Sequence, residues 1–244
     1  MTTTVTSRWM RIDIIIEGEA GPGSQEQNCW KSFRQMARGK IPSDVLLYVP
    51  NLIGYARIIC MLVAFATSLR SWKVSLVCYA LAFAGDAVDG LAARKFDQSS
   101  KFGGVLDMIT DRVETAGLLA ILGALYPKWI FAFLSLMALD LFSHWYHVYV
   151  TCSVGHHKDS ATLEGRHWLL RAFYGIYPFF AYLCVGTEVF YIALYVLAFV
   201  NSPALSKFCW FGCLPACVMK QAVNIAQMCS AMYYLALEDV AREA

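Results

Sequence analysis

The chain has 244 residues, of which 58% are hydrophobic and 16% are charged. This composition is too apolar for an ordinary soluble domain, and apolar runs long enough to cross a bilayer recur along the sequence. The formal net charge of +2 is nearly neutral and gives no reason to expect a nucleic-acid partner. The sequence therefore predicts an all-α, polytopic membrane protein.

The N-terminal stretch is polar and contains Gly21-Pro22-Gly23. We expect residues 1–40 to form a cytosolic extension, followed by a membrane domain over residues 41–244. Between Asn28 and Arg38, apolar residues alternate with basic ones, a pattern typical of an amphipathic helix lying in the membrane interface. A solvated helix is the alternative for this segment.

Six apolar runs are predicted to span the membrane, at residues 48–69, 73–94, 102–125, 128–150, 178–200 and 208–237. A further helix, residues 168–177, is expected to run along the membrane surface before the fifth span. Most Lys and Arg residues outside the spans fall on the side that holds the N-terminus and the turn at 94–101. Since basic residues favour the cytosolic side, both termini and this turn are predicted to face the cytosol.

Four carboxylates lie inside the second and third predicted spans: Asp86, Asp89, Asp107 and Asp111. The members of each pair are three or four residues apart, which places each pair on one helix face. At a rise of about 1.5 Å per residue, the two pairs match in depth if the helices are antiparallel across the polar turn at 95–101. The sequence therefore predicts that the four carboxylates converge, in a cleft open to the cytosol.

Such a cluster needs cations, because an unpaired Asp near the middle of a bilayer costs about 2.5–3.5 kcal/mol. Ligands that are all oxygen suit Mg²⁺ or Mn²⁺ rather than zinc, and two such ions would bridge a diphosphate. The alternative is a set of local salt bridges made by neighbouring basic residues, Arg94, Lys95, Lys101 and Arg112.

Residues beside the carboxylates are suited to phosphate groups. Gly90 and Gly103 bracket the predicted cleft and lack side chains, which allows a phosphate to approach the backbone closely. Arg94 can pair with phosphate oxygens through its planar guanidinium, and Ser100 adds a hydroxyl. At the start of the first span, Asn51 and Arg57 either reach the lipid headgroups or help to hold an anion.

The fourth predicted span carries polar residues on one face. Asp140, His144 and His147 follow one another at i, i+4 and i+7, and Ser143 lies beside them. These residues either pack against neighbouring helices or contact a substrate, and the sequence leaves both interpretations open.

The spacing of the acidic stretch is similar to the signature of a known family. Asp86-Ala87-Val88-Asp89-Gly90, Ala93-Arg94, Gly103, Asp107 and Asp111 together resemble the CDP-alcohol phosphotransferase family. The runs at 50–57 and 106–112, with Asp140 and Ser143-His144-Trp145, resemble its eukaryotic phosphatidylinositol synthase branch.

This resemblance implies a fold of six membrane helices, usually paired as a homodimer, in the endoplasmic reticulum or Golgi. It implies that the four aspartates hold the metal, and that Gly90, Arg94 and Ser100 contact CDP-diacylglycerol. Asp111 would also accept a proton during transfer of the phosphatidyl group to myo-inositol with release of CMP. Gly103, Asn51 and Arg57 are further candidates for contact with CDP-diacylglycerol, and the polar face of the fourth span is the candidate acceptor site.

Three other functions are open from the sequence. The same carboxylates would serve glycerol phosphate, serine, choline or ethanolamine as the acceptor, although spans four and five have no Lys or Arg at cleft depth to hold a phosphorylated one. A membrane prenyltransferase also binds a lipid diphosphate through Mg²⁺, but its acidic motifs lie far apart in the chain. A cation transporter would need no nucleotide lipid, and this sequence lacks the paired, interrupted helices of a transporter built from internal repeats.

Overall fold

The structure is a computed structural model that describes residues 42–153 and 168–243. The chain divides into two units, Met1–Asp44 and Val45–Ala244, and the long helices belong to the second. The predicted extension over residues 1–40, its interfacial helix and the polar connection at 156–166 lie outside the described residues.

Within those two ranges the secondary structure is helical, without strands. The α-helices in chain order are α1 (Pro42–Leu46), α2 (Val49–Thr67), α3 (Trp72–Lys95), α4 (Lys101–Leu125), α5 (Ile130–Ser153), α6 (Trp168–Gly175), α7 (Tyr177–Leu197), α8 (Pro203–Lys207) and α9 (Leu214–Glu243). A 3₁₀ turn, Pro127–Trp129, precedes α5, and a π-helical segment, Phe208–Cys213, joins α8 to α9.

Four helical segments are long and apolar enough to cross a membrane: Val49–Thr67, Trp72–Lys95, Pro127–Val150 and Pro178–Leu197. They coincide with the first, second, fourth and fifth predicted spans and are the helices of an integral membrane protein. At the other two predicted spans, α4 and α9 are longer still, at 25 and 30 residues. Charged or amide side chains interrupt their apolar sequences, so the count of six spans stays a prediction.

The helices pack around α4. It contacts α2, α5 and α7, while α9 packs on α5 and α7. The C-terminal half of α4 supplies Leu118, Leu119 and Leu122 to the largest apolar cluster, where they are joined by Phe190 and Tyr191 of α7. This apolar half fixes α4 in the bundle, so its N-terminal half presents charged residues at a defined place.

The connection between α3 and α4 is short and structured. Asp97 adopts a φ of 50°, a left-handed conformation that Asp tolerates better than most residues. Ser100 caps α4, since its side chain accepts a hydrogen bond of 3.0 Å from the Gly103 backbone N–H. Within the described residues α3 and α4 do not pack directly on each other, contrary to the packing that the polar turn predicted; α2 packs on both of them instead.

Candidate active site

The four carboxylates converge, as their spacing predicted. Asp86 and Asp89 project from the C-terminal part of α3, and Asp107 and Asp111 from the N-terminal half of α4. One ligand oxygen from each of Asp86, Asp89 and Asp107 lies within 4.8 Å of the other two. The Asp111 carboxylate lies outside this group of three but shares a common neighbour with all of them.

That neighbour is Arg57 of α2, whose side chain is only 2% exposed. Its Nη1 lies 2.7 Å from Asp89 Oδ2, 2.7 Å from Asp107 Oδ1 and 3.3 Å from Asp86 Oδ1. Its Nη2 lies 2.5 Å from Asp111 Oδ1. Three helices thus meet at one guanidinium.

The position of Arg57 corrects two of the expectations above. Its side chain does not reach toward the headgroups, because four carboxylates attract the guanidinium into the bundle. The alternative of local salt bridges rested on other basic residues. Of those, Arg112 comes near the cluster, with its Nη2 atom 3.9 Å from Asp111 Oδ2. The main counter-ion, Arg57, comes from α2, which lies outside the stretch of sequence that carries the carboxylates.

The donor set fits a divalent cation. One guanidinium supplies a single positive charge against four carboxylates, of which Asp86 and Asp107 are each 43% exposed, so the cluster has room for a further cation. The candidate ligands are all carboxylate oxygens, as Mg²⁺ and Mn²⁺ prefer. Asp86, Asp89 and Asp107 are therefore candidate ligands for a metal ion.

Beside the cluster lies a cavity of about 230 Å³. Five of the six residues predicted to contact CDP-diacylglycerol line it: Asn51, Gly90, Arg94, Ser100 and Gly103. Arg57 does not, whereas Asp89 and Asp107 do. The cavity thus places the predicted phosphate-binding residues and two of the candidate metal ligands around one space.

The wall of this cavity is packed closely at Gly103. A Cβ atom there would lie 2.8 Å from Asn51 Oδ1 and 3.1 Å from Ser100 Oγ. Asn51 is 1% exposed, and its Nδ2 donates to the Val45 carbonyl. Glycine at this position therefore allows α2 and the start of α4 to approach each other.

The polar group of the fourth predicted span lies on α5 and does not line that cavity. Arg112 Nη1 donates to both carboxylate oxygens of Asp140, each at 2.9 Å. The Ser143 hydroxyl donates to the Asp140 backbone carbonyl at 3.0 Å, and His144 Nδ1 lies 2.8 Å from the same oxygen. Ser143 and His144 thus contact their own helix, whereas Asp140 reaches Arg112 of α4.

Two residues of α9 that the sequence places on one helix face continue this polar path. Asn224 Nδ2 of α9 lies 3.5 Å from Asp140 Oδ1, and Lys220 Nζ donates to Asn224 Oδ1 at 2.5 Å. Lys220 and Asn224 are buried at 8% and 1% exposure. Their shared helix face favours polar contacts between helices, and Asn224 makes such a contact with α5.

A half-buried carboxylate of α7 also went unassigned. Glu188 of α7 accepts hydrogen bonds from Thr115 Oγ1 of α4 at 2.6 Å and from the Tyr79 hydroxyl of α3 at 3.1 Å. Nothing local marks it, because its partners are distant in the sequence. It ties three helices together below the aspartate cluster.

Comparison with known proteins identifies the family. The sequence profile of the CDP-alcohol phosphatidyltransferase family matches residues 47–240, which include the whole of the site described above. No solved structure matches the chain.

Several characterised relatives are similar over most of their length. The chain is 38% identical over 220 residues to CDP-diacylglycerol–inositol 3-phosphatidyltransferase 1 of Arabidopsis thaliana, covering 82% of this chain and 93% of that protein. It is 37% identical to the CDP-diacylglycerol–inositol 3-phosphatidyltransferase of Candida albicans, covering 80% and 85%. The enzyme of that name from Saccharomyces cerevisiae is 36% identical, covering 80% and 89%. With the profile match and these identities, the chain belongs to the CDP-alcohol phosphatidyltransferase family.

Proposed function

We propose that this protein transfers the phosphatidyl group of CDP-diacylglycerol to myo-inositol, with release of CMP. The observation that carries the proposal is the cavity in which Gly90, Arg94 and Ser100 lie beside Asp89 and Asp107. Similarity to relatives named for this reaction supports the choice of substrates.

Asp86, Asp89, Asp107 and Asp111 would hold Mg²⁺ or Mn²⁺, which when bound neutralises the diphosphate and stabilises CMP as the leaving group. The protein's own residues position the lipid. Arg94 pairs with phosphate oxygens, and the lack of a side chain at Gly90 leaves its backbone open to them. Ser100 and Asn51 also line the cavity.

The reaction moves one proton. The inositol hydroxyl oxygen forms a bond to the phosphorus that carries the diacylglycerol, the bond from that phosphorus to the CMP oxygen breaks, and the hydroxyl proton passes to Asp111. Asp111 Oδ1 is held by Arg57. Its Oδ2 lies 3.9 Å from Arg112 Nη2, beyond hydrogen-bond distance, which leaves this oxygen to accept the proton.

The acceptor would bind near Asp140, on the side of Asp111 away from Arg57. Arg112, which lies between these two aspartates, is neutralised by Asp140. Carboxylate, guanidinium and amide groups in alternation suit a polyol, whose hydroxyls both donate and accept. Ser143, His144 and His147 belong to the same proposed acceptor region.

The architecture that we propose has six membrane spans, with α4 and α9 as the third and sixth. Residues 1–40 would be a cytosolic extension with an interfacial helix over residues 28–38, and residues 41–244 the catalytic domain. Both termini and the cavity would face the cytosol, in the endoplasmic reticulum or Golgi, and the protein would be a homodimer.

The test is an assay of membranes that contain this protein. It supplies CDP-diacylglycerol, Mn²⁺ or Mg²⁺, and separately labelled inositol, glycerol phosphate, serine, choline and ethanolamine. We expect labelled lipid from inositol, stoichiometric CMP, and loss of both with a chelator. A labelled product from another acceptor and none from inositol would reassign the substrate, and no product from any acceptor would overturn the proposed function.

A further inference from the structure

Arg57 occupies the place from which a cation would contact the aspartates. Its Nη1 touches one oxygen of each of Asp86, Asp89 and Asp107. These are the same three residues whose ligand oxygens lie within 4.8 Å of one another. A guanidinium and a divalent ion both need the lone pairs of these carboxylates, and their like charges repel at this distance.

The position of the guanidinium is built into α3 as well as α2. A Cβ atom at Gly85, the residue before Asp86, would lie 2.6 Å from Arg57 Cγ and 3.1 Å from its Cδ. The stem of Arg57 therefore lies where only a glycine leaves room on α3. The Arg57 Nε atom is buried and has no hydrogen-bond partner among the described residues. The side chain is therefore held by its terminal nitrogens and by the groove that Gly85 leaves on α3.

We propose that Arg57 is a built-in counter-ion that competes with the divalent metal. In the metal-free protein it holds the carboxylates of α3 and α4 together against their mutual repulsion. When metal binds, Arg57 Nη1 gives up its contacts with Asp86, Asp89 and Asp107, while Nη2 stays on Asp111. This inference rests on the metal site of the proposed function, and in it Arg57 is a positioning residue rather than a catalytic one.

The competition has two measurable consequences. Removing the guanidinium frees carboxylate lone pairs and removes a positive charge, so metal should bind more tightly. It also leaves four carboxylates without their main counter-ion, so the metal-free protein should become less stable. A residue with a purely structural role would give the second effect without the first.

The experiment measures Mn²⁺ binding to the full-length protein in lipid nanodiscs, without nucleotide lipid, from the paramagnetic resonance signal of free Mn²⁺. Since a hydrogen bond to a charged group is worth about one factor of ten in affinity, we expect Arg57→Gln to lower the Mn²⁺ dissociation constant about tenfold. Arg57→Lys should fall between Arg57→Gln and the wild type. The metal-free melting temperature of Arg57→Gln should fall, and saturating Mn²⁺ should raise it by more than in the wild type.

Gly85→Ala tests the same idea with the arginine still present. The added methyl group should push the Arg57 stem out of its groove and tighten Mn²⁺ binding. If Arg57→Gln fails to fold, the Mn²⁺ affinity of Gly85→Ala tests the competition. Gly104→Ala is the matched control, because a Cβ atom at Gly104 meets nothing within 4 Å. This control should keep the wild-type dissociation constant.

Unchanged or weaker Mn²⁺ binding in the folded variants would overturn the inference, as would an absence of Mn²⁺ binding in the wild type and the variants alike. The transfer assay is independent of this result. Transfer by the wild type with unchanged Mn²⁺ affinity in Arg57→Gln refutes the competition alone. Tighter Mn²⁺ in the variants without transfer to any acceptor refutes the proposed function alone.

Discussion

At the scale of single residues, Asp111 is the aspartate with the most distinct surroundings. It is held by Arg57 on one oxygen and lies outside the group formed by Asp86, Asp89 and Asp107. A carboxylate that is fixed on one side and open on the other can accept a proton from a substrate hydroxyl without moving.

We predict that Asp111→Asn keeps CDP-diacylglycerol binding and loses turnover. The amide preserves the shape and can accept from Arg57, but it cannot take a proton, and general-base groups contribute about 10²–10⁴ in rate. Initial rates and equilibrium lipid binding measure the two effects. Asp97→Asn is the matched control, because Asp97 is exposed in the turn and Asn tolerates its φ of 50°. Wild-type rates from Asp111→Asn would remove this residue from the mechanism.

A second prediction at this scale concerns the acceptor. Asp140→Ala removes the partner of Arg112 and one contact of Asn224. We expect the KM for inositol to rise about tenfold, equivalent to about 1.4 kcal/mol, with little change in CDP-diacylglycerol binding. His144→Ala should act in the same direction. Kinetics with each substrate varied separately decide this, and an equal loss for both substrates contradicts an acceptor role.

At the scale of helices, close approach depends on particular small residues. Gly103 lets the start of α4 lie against Asn51 of α2, whereas the adjacent Gly104 faces open space. The two glycines therefore differ in what a methyl group would cost.

We predict opposite effects of alanine at these two positions. Gly103→Ala should lower the free energy of unfolding by about 1–3 kcal/mol, as overpacking does. Gly104→Ala should raise it by about 0.5–1 kcal/mol, since alanine is the better helix former. Thermal denaturation of the two purified variants in the same detergent measures the difference. Equal effects would mean that Asn51 moves aside without cost.

Glu188 gives a second prediction about helices. Tyr79 and Thr115 are both buried and both donate to this carboxylate. Glu188→Ala leaves two buried hydroxyls unpaired, at about 1–3 kcal/mol each, so it should lower thermal stability markedly. Glu238→Ala is the control, because it removes only a pair with the exposed Arg242, worth at most about 1 kcal/mol. A Glu188 variant as stable as this control would show that α3, α4 and α7 do not depend on the contact.

At the scale of the whole molecule, the proposed orientation puts the α3–α4 turn and the α4–α5 turn on opposite sides of the membrane. Lys95 and Lys128 are exposed residues at these two places. In sealed microsomes, a membrane-impermeant maleimide should label Lys95→Cys at once and Lys128→Cys only after permeabilisation, each above the background of the parent protein. Labelling of both in intact vesicles would exclude α4 as a membrane span.

Sequence alone determined the helical membrane class, the convergence of Asp86, Asp89, Asp107 and Asp111, and the signature of the family. These follow from features that are local in the chain: apolar length, helical spacing, and one tight turn between α3 and α4. Membership of the family is now shown by the profile match and the relatives, while the individual roles of the aspartates stay predictions.

Only the tertiary structure decided which cation meets those carboxylates and which groups surround Asp140 and Glu188. Arg57 and Asp111 are 54 residues apart, Asn224 and Asp140 are 84 apart, and Tyr79 and Glu188 are 109 apart. The sequence states that such polar side chains need partners in an apolar bundle, because leaving them unpaired is costly. The sequence does not identify the partner of each polar side chain, because that partner depends on how distant helices pack and rotate against one another.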